Sequence, residues 1–377
     1  MRILLLCYEY PPVGGGGGRV AAQVAARLAR RGHSVRALTA GMRHLPGRET
    51  RDEVEVVRAK SFRRREDTCT VPEMALYAVT SLGPVLHEAR SWRPDVIHAH
   101  FAIPTGPLAL AANLLTGIPY VLTAHLGDVP GGVPEQTSHW FRLLGPLPSL
   151  VWRRASRVTT VSHFVAELAR RAYGIEPVVI PNGVNPIARR ELALHPAPRI
   201  IMAGRLSVQK NPLLAIAALA LLKDLGWSLD VIGDGPLAPE MRALARREGI
   251  DDRVVAHGWI SGEQVARAMA EADILLMPSL HEGLPMAAVE ALQHGLAIVG
   301  GRIGGMRDVV EEGRNGFLCD FSPEAFAQKL RLLLADEAFL GKTRRASFEK
   351  ARDFDLEKSV DAYERVLSSA KRSQGGC

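Results

Sequence analysis

Cysteine is sparse in this chain, four residues in 377, at Cys7, Cys69, Cys319 and Cys377. They are widely scattered, with no C-x-x-C pair and no Cys/His cluster. That argues against a disulfide framework or a structural zinc site and favours a reducing compartment. Long apolar runs are missing too. The opening stretch from Arg2 to Tyr8 reaches Glu9 too soon for the hydrophobic region of an export signal and suits a buried first strand. The most membrane-like stretch, 104–124, is interrupted by Gly106, Pro107, Asn113, Gly117 and Pro119, and reads as a helix followed by a strand. These absences predict a cytoplasmic chain that does not span a membrane.

What is there is an ordinary globular composition, 47% apolar and 23% charged. The length suits two domains of about 150–200 residues each. The net charge of +7 is unevenly placed. Residues 1–184 carry 22 Arg/Lys against 14 Asp/Glu, and residues 185–377 carry 25 against 26. The excess includes the local run Arg58, Lys60, Arg63, Arg64 and Arg65. Such runs are commonly solvated faces. The functional reading is an acidic partner, either an anionic membrane touched peripherally at its inner face or a phosphorylated acceptor. A single aromatic, Phe62, falls within the run and no recognition motif accompanies it, so nucleic acid is not expected.

Short apolar runs alternate with amphipathic stretches, the grammar of βαβ units and parallel sheets. Strands are predicted at 3–8, 35–39, 95–98, 120–124, 157–161 and 178–180. A second series follows at 199–203, 228–232, 254–256, 274–277 and 297–299. Val20, Val24 and Leu28 recur four apart and give the first helix one buried stripe, with Arg27, Arg30 and Arg31 outside. The proline-containing stretch 186–198 separates the two series, and the domain boundary is expected within 182–198. A tail helix over 356–370 places Val360, Tyr363, Val366 and Leu367 on one side.

Three loops carry chemistry. Gly14 to Gly18 lies between the first strand and the first helix, where glycines let a ligand approach the backbone and a helix N-terminus favours an anion. Only the permissive register Gly16-x-Gly18-x-x-Ala21 fits a dinucleotide fingerprint, and no acidic residue near position 40 is present to hold a ribose. A nicotinamide site is therefore disfavoured, and a flexible structural turn is the competing reading. The second loop, Gly204-Arg205-Leu206-Ser207-Val208-Gln209-Lys210-Asn211, joins a strand to a helix starting near Pro212. Arg and Lys five apart there can converge on one diphosphate and neutralise the charge that grows as phosphate departs, although such loop cations are commonplace.

The third loop is Glu282-Gly283-Leu284-Pro285-Met286-Ala287-Ala288-Val289-Glu290, after strand 274–277. Gly283 frees the backbone, Pro285 suits a first helical turn, and the helix N-terminus can face an anion. Glu282 and Glu290 stand just over two helical turns apart, which directs both carboxylates to one side as acceptors for sugar and ribose hydroxyls. Two solvated glutamates flanking a core helix would give the same spacing.

Together with Pro11-Pro12, Gly15-Gly16, His125, Pro181-Asn182-Gly183-Val184, Gly233-Asp234-Gly235-Pro236, Ala272-Asp273, Gly304-Gly305, Asp308 and Asn315-Gly316, these loops make the chain similar to a known family. Over nearly its whole length it resembles the large retaining glycosyltransferase family that includes phosphatidylinositol mannosyltransferases and sucrose synthases. Asn185 departs from the pattern, where the family often has Asp.

The resemblance implies an α/β protein of the GT-B class, with two Rossmann-like domains facing across a cleft. Residues 1–184, joined by a returning helix at 358–377, would bind the acceptor, and residues 185–357 the nucleotide sugar. It assigns the donor diphosphate to Arg205 and Lys210 in the loop opened by Gly204, and the donor sugar to Glu282. Gly283, Leu284, Pro285 and Met286 would offer backbone to sugar and phosphate, and Glu290 would hold the ribose. Gly15 and Gly16 would lie against phosphate or acceptor. His125, at a strand end in Thr-Ala-His-Leu-Gly-Asp, would hydrogen-bond the sugar near the reacting carbon. A lone His is more often structural, but this position favours the functional reading. Gly258-Trp259-Ile260 would frame the base.

The implied reaction moves a hexose-type sugar from a UDP- or GDP-type donor to a carbohydrate or lipid-linked acceptor, with retention and without a cofactor. Envelope polysaccharide or glycolipid synthesis is the expected setting. No obligatory metal is expected: Asp251-Asp252 stands alone before a strand, and Arg205 and Lys210 would neutralise the leaving charge. No carboxylate nucleophile stands out near His125, since Asp128 reads as orienting its loop. A nucleotide-sugar epimerase of similar shape and a non-enzymatic two-lobed sugar-binding protein are the rival readings. Dependence of turnover on an acceptor separates them.

Overall fold

The computed structural model describes residues 1–66, 69–133, 145–187, 195 and 197–372. Cys377 and the rest of the expected tail beyond 372 lie outside them, as do residues 188–194 and 196 of the connection. The chain divides into two units, Met1–Gly183 with Leu356–Cys377, and Val184–Asp355.

In the first unit the described strands are β1 (Arg2–Leu6), β2 (Ser34–Ala40), β3 (Arg48–Arg51), β4 (Val54–Ala59), β5 (Val96–His100), β6 (Tyr120–Ala124), β7 (Arg157–Thr160) and β8 (Val178–Val179). They form one sheet in the order β3-β4-β2-β1-β5-β6-β7-β8. β5 and β6 are buried at every position, which is why they read as near-continuous apolar runs rather than alternating ones. Chain order reverses between β1 and β5, so the carboxyl ends of β1, β5 and β6 converge at a topological switch point.

β3 and β4 escaped the sequence reading. They form the antiparallel edge hairpin, and β3 is the charged run Arg-Glu-Thr-Arg, mostly exposed. Its turn uses Asp52 and Glu53 at φ 48° and 65°, left-handed positions ordinarily marked by Gly or Asn.

The first helix, Gly16–Arg30, buries the predicted stripe of Val20, Val24 and Leu28. Two of the arginines expected merely outside it, Arg27 and Arg31, have partners on the returning helix Leu356–Arg372, while Arg30 lies 3.9 Å from both Asp52 and Glu53. Arg31 bonds Asp361 at 2.6 Å, Glu364 at 2.9 Å and Glu357 at 2.5 Å, and Arg27 pairs with Glu357 at 3.0 Å. That helix begins at Leu356, as the apolar spacing predicts and two residues before the boundary the resemblance implied, and it buries Val360, Tyr363 and Leu367. Gly183 explains the Pro-Asn-Gly-Val run before it: a Cβ there would stand 2.5 Å from Leu356 Cα, so only glycine fits where the chain passes the helix start.

The second unit contains β9 (Arg199–Ala203), β10 (Ser228–Ile232), β11 (Val254–Gly258), β12 (Ile274–Met277), β13 (Ala297–Gly301) and β14 (Gly316–Cys319). All pair in parallel, in the order β11-β10-β9-β12-β13-β14. β14 was not anticipated, because Gly-Phe-Leu-Cys is too short to show a period. The switch point here lies between β9 and β12. A buried ion pair locks the opposite ends of these strands. Arg344 meets Asp273, whose carboxylate also accepts the Arg199 amide at 2.7 Å and lies 3.0 Å from His195 Nδ1.

Candidate active site

The loops after β9 and β12 meet at the second unit's switch point. Gly204, at φ 138°, leaves β9 and packs backbone to backbone against the Gly233-Asp234-Gly235 loop after β10. A Cβ on Gly233 would stand 2.1 Å from Gly204 O, and one on Gly235 2.4 Å from Leu206 O. These glycines exist for that close approach. A short 3₁₀ turn, Val208–Lys210, is laced to the next loop: Leu280 N donates to Gln209 O at 2.8 Å, and Gln209 Nε2 to His281 O at 2.8 Å.

This lacing brings Lys210 Nζ onto Glu282 Oε1, an ion pair between a half-buried lysine and a buried glutamate. Arg205 is exposed, and its side chain has no partner among the described residues. The helix Met286–Gln293 opens beside Glu282, with Pro285 as its N-cap in extended conformation. Pro285 is therefore not in the first helical turn as expected. Because Glu282 also precedes the helix, the two-turn argument for Glu282 and Glu290 does not hold as stated. Only Glu290 is helical, half-buried in the second turn.

The amides of Gly283, Leu284, Met286 and Ala287 have no acceptor among the described residues. Gly305 packs on the same loop, where a Cβ would lie 2.4 Å from the carbonyl oxygens of both Glu282 and Gly283. Ser279, fully buried in the loop, has an Oγ without a partner. Trp259 is exposed beyond β11.

In the first unit only the start of the glycine run, Gly14 and Gly15, belongs to the loop between strand and helix. Gly15 is the N-cap, and Gly16, Gly17 and Gly18 form the first helical turn. The reason is packing. Cβ atoms on Gly14 and Gly18 would fall 2.4 Å from Glu9 Cβ and 2.5 Å from Glu9 O, and one on Gly17 would fall 2.8 Å from Phe101 Cζ. The Glu9 carboxylate already occupies the helix entrance, accepting the Gly15 amide at 3.0 Å. The place expected for phosphate or acceptor at Gly15 thus holds an internal carboxylate.

His125 directly follows β6. Its amide donates to Asp128 Oδ2 at 2.7 Å, and Asp128 Oδ1 accepts the Ile103 amide at 3.2 Å, tying the ends of β5 and β6 together. Burial pushes the Asp128 carboxyl up to about 7, against the pull of these amides. Burial holds the His125 imidazole down at about 4. Its Nε2 is buried without a hydrogen-bond partner. Beneath it, β5 contributes His98 and His100, their rings 4.3 Å apart. His98 bonds Thr123 at 2.8 Å, whereas neither nitrogen of His100 has a partner. Sequence reasoning missed Glu9, Phe101 and His100; the alternation His98-x-His100 on one strand face was the available signal.

Of the basic run, Arg58 and Arg63 turn inward. Arg58 pairs with Glu49 at 2.7 Å, and Arg63 donates to the carbonyls of Arg65 and Glu66 at 2.9 and 3.1 Å. Lys60, Arg64 and Arg65 are the exposed members. Among the described residues no group of three or more His, Cys, Asp or Glu is placed to hold a metal ion, and no helix is long and apolar enough to cross a membrane.

Two Rossmann-like units with parallel sheets, each presenting a glycine-bearing loop at its switch point, define the GT-B class of glycosyltransferase fold. Residues 185–354 match the model for glycosyl transferases group 1, and residues 14–187 that for glycosyltransferase family 4. The 2-deoxystreptamine glucosyltransferase of Streptomyces kanamyceticus is 30% identical over 91% of this chain and 97% of that protein. The glycogen synthase of Mycobacterium tuberculosis is 28% identical over 99% of this chain and 96% of that one. The solved structure of sucrose-phosphate synthase from Thermosynechococcus elongatus superposes with a TM-score of 0.83 at 21% identity, covering 98% of this chain and 99% of that one. The chain belongs to the group 1 glycosyltransferases, with a family 4 glycosyltransferase N-terminal region, and is a glycosyltransferase.

Proposed function

We propose that the chain moves a hexose-type sugar from a nucleoside diphosphate sugar to an acceptor hydroxyl, with retention of anomeric configuration. The observation that carries this reading is the helix entrance at Met286: four amides without acceptors among the described residues stand beside the Lys210–Glu282 ion pair. Amides and a helix N-terminus favour phosphate oxygens. Lys210 supplies a cation there, and Arg205, exposed and unpaired among the described residues, a second. When the diphosphate draws Lys210 away, Glu282 becomes free to accept sugar hydroxyls. Glu290 is assigned the ribose, and His125 a sugar hydroxyl through its buried Nε2.

Retention follows a front-face course. The C1–O bond to the diphosphate breaks, the acceptor oxygen bonds C1 on the same face, and the acceptor proton passes to the departing phosphate oxygen. No protein nucleophile is needed, and Asp128, held by two amides, is not assigned that role. Arg205 and Lys210 stabilise the departing charge in place of a divalent ion. The 2-deoxystreptamine glucosyltransferase and the glycogen synthase bear names that point to different acceptors, so the acceptor is not carried over from either.

The test begins with thermal stabilisation by UDP-, GDP- and ADP-glucose; a donor at a hundred times its Kd stabilises by about 2.7 kcal/mol. Transfer is then followed with and without acceptor. Arg205→Ala is expected to reduce transition-state stabilisation by about 2–4 kcal/mol. Wild-type transfer by Arg205→Ala would remove the diphosphate assignment. Release of an altered nucleotide sugar without acceptor would favour an epimerase.

A further inference from the structure

Phe101 is the first residue after β5, and its backbone is strained. Its φ is 70°, in the left-handed region that an aromatic residue rarely adopts. Neighbouring bonds enforce this. The Phe101 amide donates to Thr123 O at 3.0 Å, extending the pairing with β6 one residue beyond the strand. The Thr105 hydroxyl lies on the carbonyls of both His100 and Phe101.

The strained turn sends the ring onto His125. The two rings stack with centroids 4.2 Å apart and planes 22° from parallel. Tyr8 meets the Phe101 ring edge-on at 5.0 Å. On the first helix, Gly17 leaves just the space required: a Cβ there would lie 2.8 Å from Phe101 Cζ and 3.2 Å from His125 Cε1. A ring that merely filled core would need neither a left-handed backbone nor a missing Cβ opposite it. Strain of this kind persists where the surroundings over-determine it, and it gathers at functional sites.

We propose that Phe101 is the positioning residue for His125, its ring fixing the imidazole plane so that the unpartnered Nε2 holds one direction. This rests on the reading that His125 bonds a sugar hydroxyl. Phe101 itself acts through His125, and a rotated imidazole would lose the bond without any change in the donor loops.

The experiment follows the His125 imidazole by NMR titration in the full chain without ligand, in the wild type and in Phe101→Leu, Phe101→Gly and Phe101→Tyr. Phe101→Gly removes the ring while relieving the left-handed backbone, so it remains informative if Phe101→Leu folds poorly. Loss of the ring is expected to move His125 back toward the ordinary imidazole value, with His98 and His100 staying below theirs; Phe101→Tyr should keep the wild-type titration. Asp128 and the other two histidines are the titratable groups set around His125, and none is altered by these variants.

Sugar transfer is then measured with whichever of UDP-, GDP- or ADP-glucose stabilises the chain. Phe101→Leu is expected to lower kcat by up to about a hundredfold with KM for the donor little changed, and Phe101→Tyr to restore it. An unmoved His125 titration in both ring-deletion variants overturns the proposal, whatever their activity. A moved titration with wild-type transfer by His125→Ala overturns instead the role given to His125, and the functional meaning of Phe101 with it.

Discussion

Lys210 and Glu282 lie 72 positions apart and form an ion pair at the second unit's switch point, because β9 and β12 are neighbours there and the loops that leave them are laced by Gln209. The pair holds both side chains ready at one helix entrance while neutralising each other's charge. On the proposed function, a diphosphate entering this place would compete with Glu282 for Lys210.

The competition predicts a split. Lys210→Ala weakens binding of bare UDP or GDP, whereas Glu282→Ala leaves it equal or tighter and lowers sugar transfer by about 10²–10³-fold, the scale of one lost transition-state contact. Glu290→Ala weakens the bare nucleotide through the ribose. Titration calorimetry with the nucleotide alone separates these cases. Equal weakening by Glu282→Ala and Glu290→Ala would show the two roles to be wrongly divided.

At the first helix, Glu9 and the Gly15 amide make a charge-assisted cap, 3.0 Å long. Glu9→Ala is expected to destabilise the first unit by about 1–2 kcal/mol, as loss of a helix cap does. Urea unfolding measures it. A change within about 0.3 kcal/mol would mean the entrance is satisfied without Glu9.

The Arg344–Asp273 pair is buried on both sides. Arg344→Met leaves Asp273 charged and buried, and is expected to destabilise the second unit by about 3–5 kcal/mol. The double variant Arg344→Met with Asp273→Leu should lose less than the sum of the single losses. Strict additivity in a double-mutant cycle would show that the two side chains are not coupled.

The buried histidines set a pH dependence. Burial holds His125 at about 4, His98 at about 3 and His100 well below the ordinary value, chiefly by desolvating the cation. Their stabilisation is complete above an unfolded pKa of about 6.5 and is lost as pH falls below it, at about 1.4 kcal/mol per pH unit for each proton. Asp128 acts in the opposite sense. With its folded pKa raised to about 7, it destabilises progressively as pH rises from the unfolded carboxylate value toward 7. Three histidines outweigh one aspartate between about pH 6.5 and 4, so the first unit loses stability on acidification. His100→Leu should flatten the slope by about one proton, read from urea unfolding at a series of pH values. An unchanged slope would mean His100 does not stay neutral in the fold.

Much of this protein was set by sequence alone. Alternating short apolar runs and amphipathic helices gave parallel sheets in two series, because strands covered on both faces must be apolar throughout. The glycines, Arg205, Lys210 and the Glu282-to-Glu290 stretch marked loops that leave strands beside the switch points, since close backbone approach requires glycine there. Tertiary structure decided which of them meet. The Lys210–Glu282 pair depends on strand order, which no local pattern encodes. The strained Phe101 turn depends on bonds from Thr105 and Thr123, and the glycine run became a helical turn because Glu9, Phe101 and His125 fill the space its side chains would take. The bond from Phe101 to Thr123 and the contacts of Gly17 with Phe101 and His125 join residues far apart in the chain, and only the folded packing fixes them.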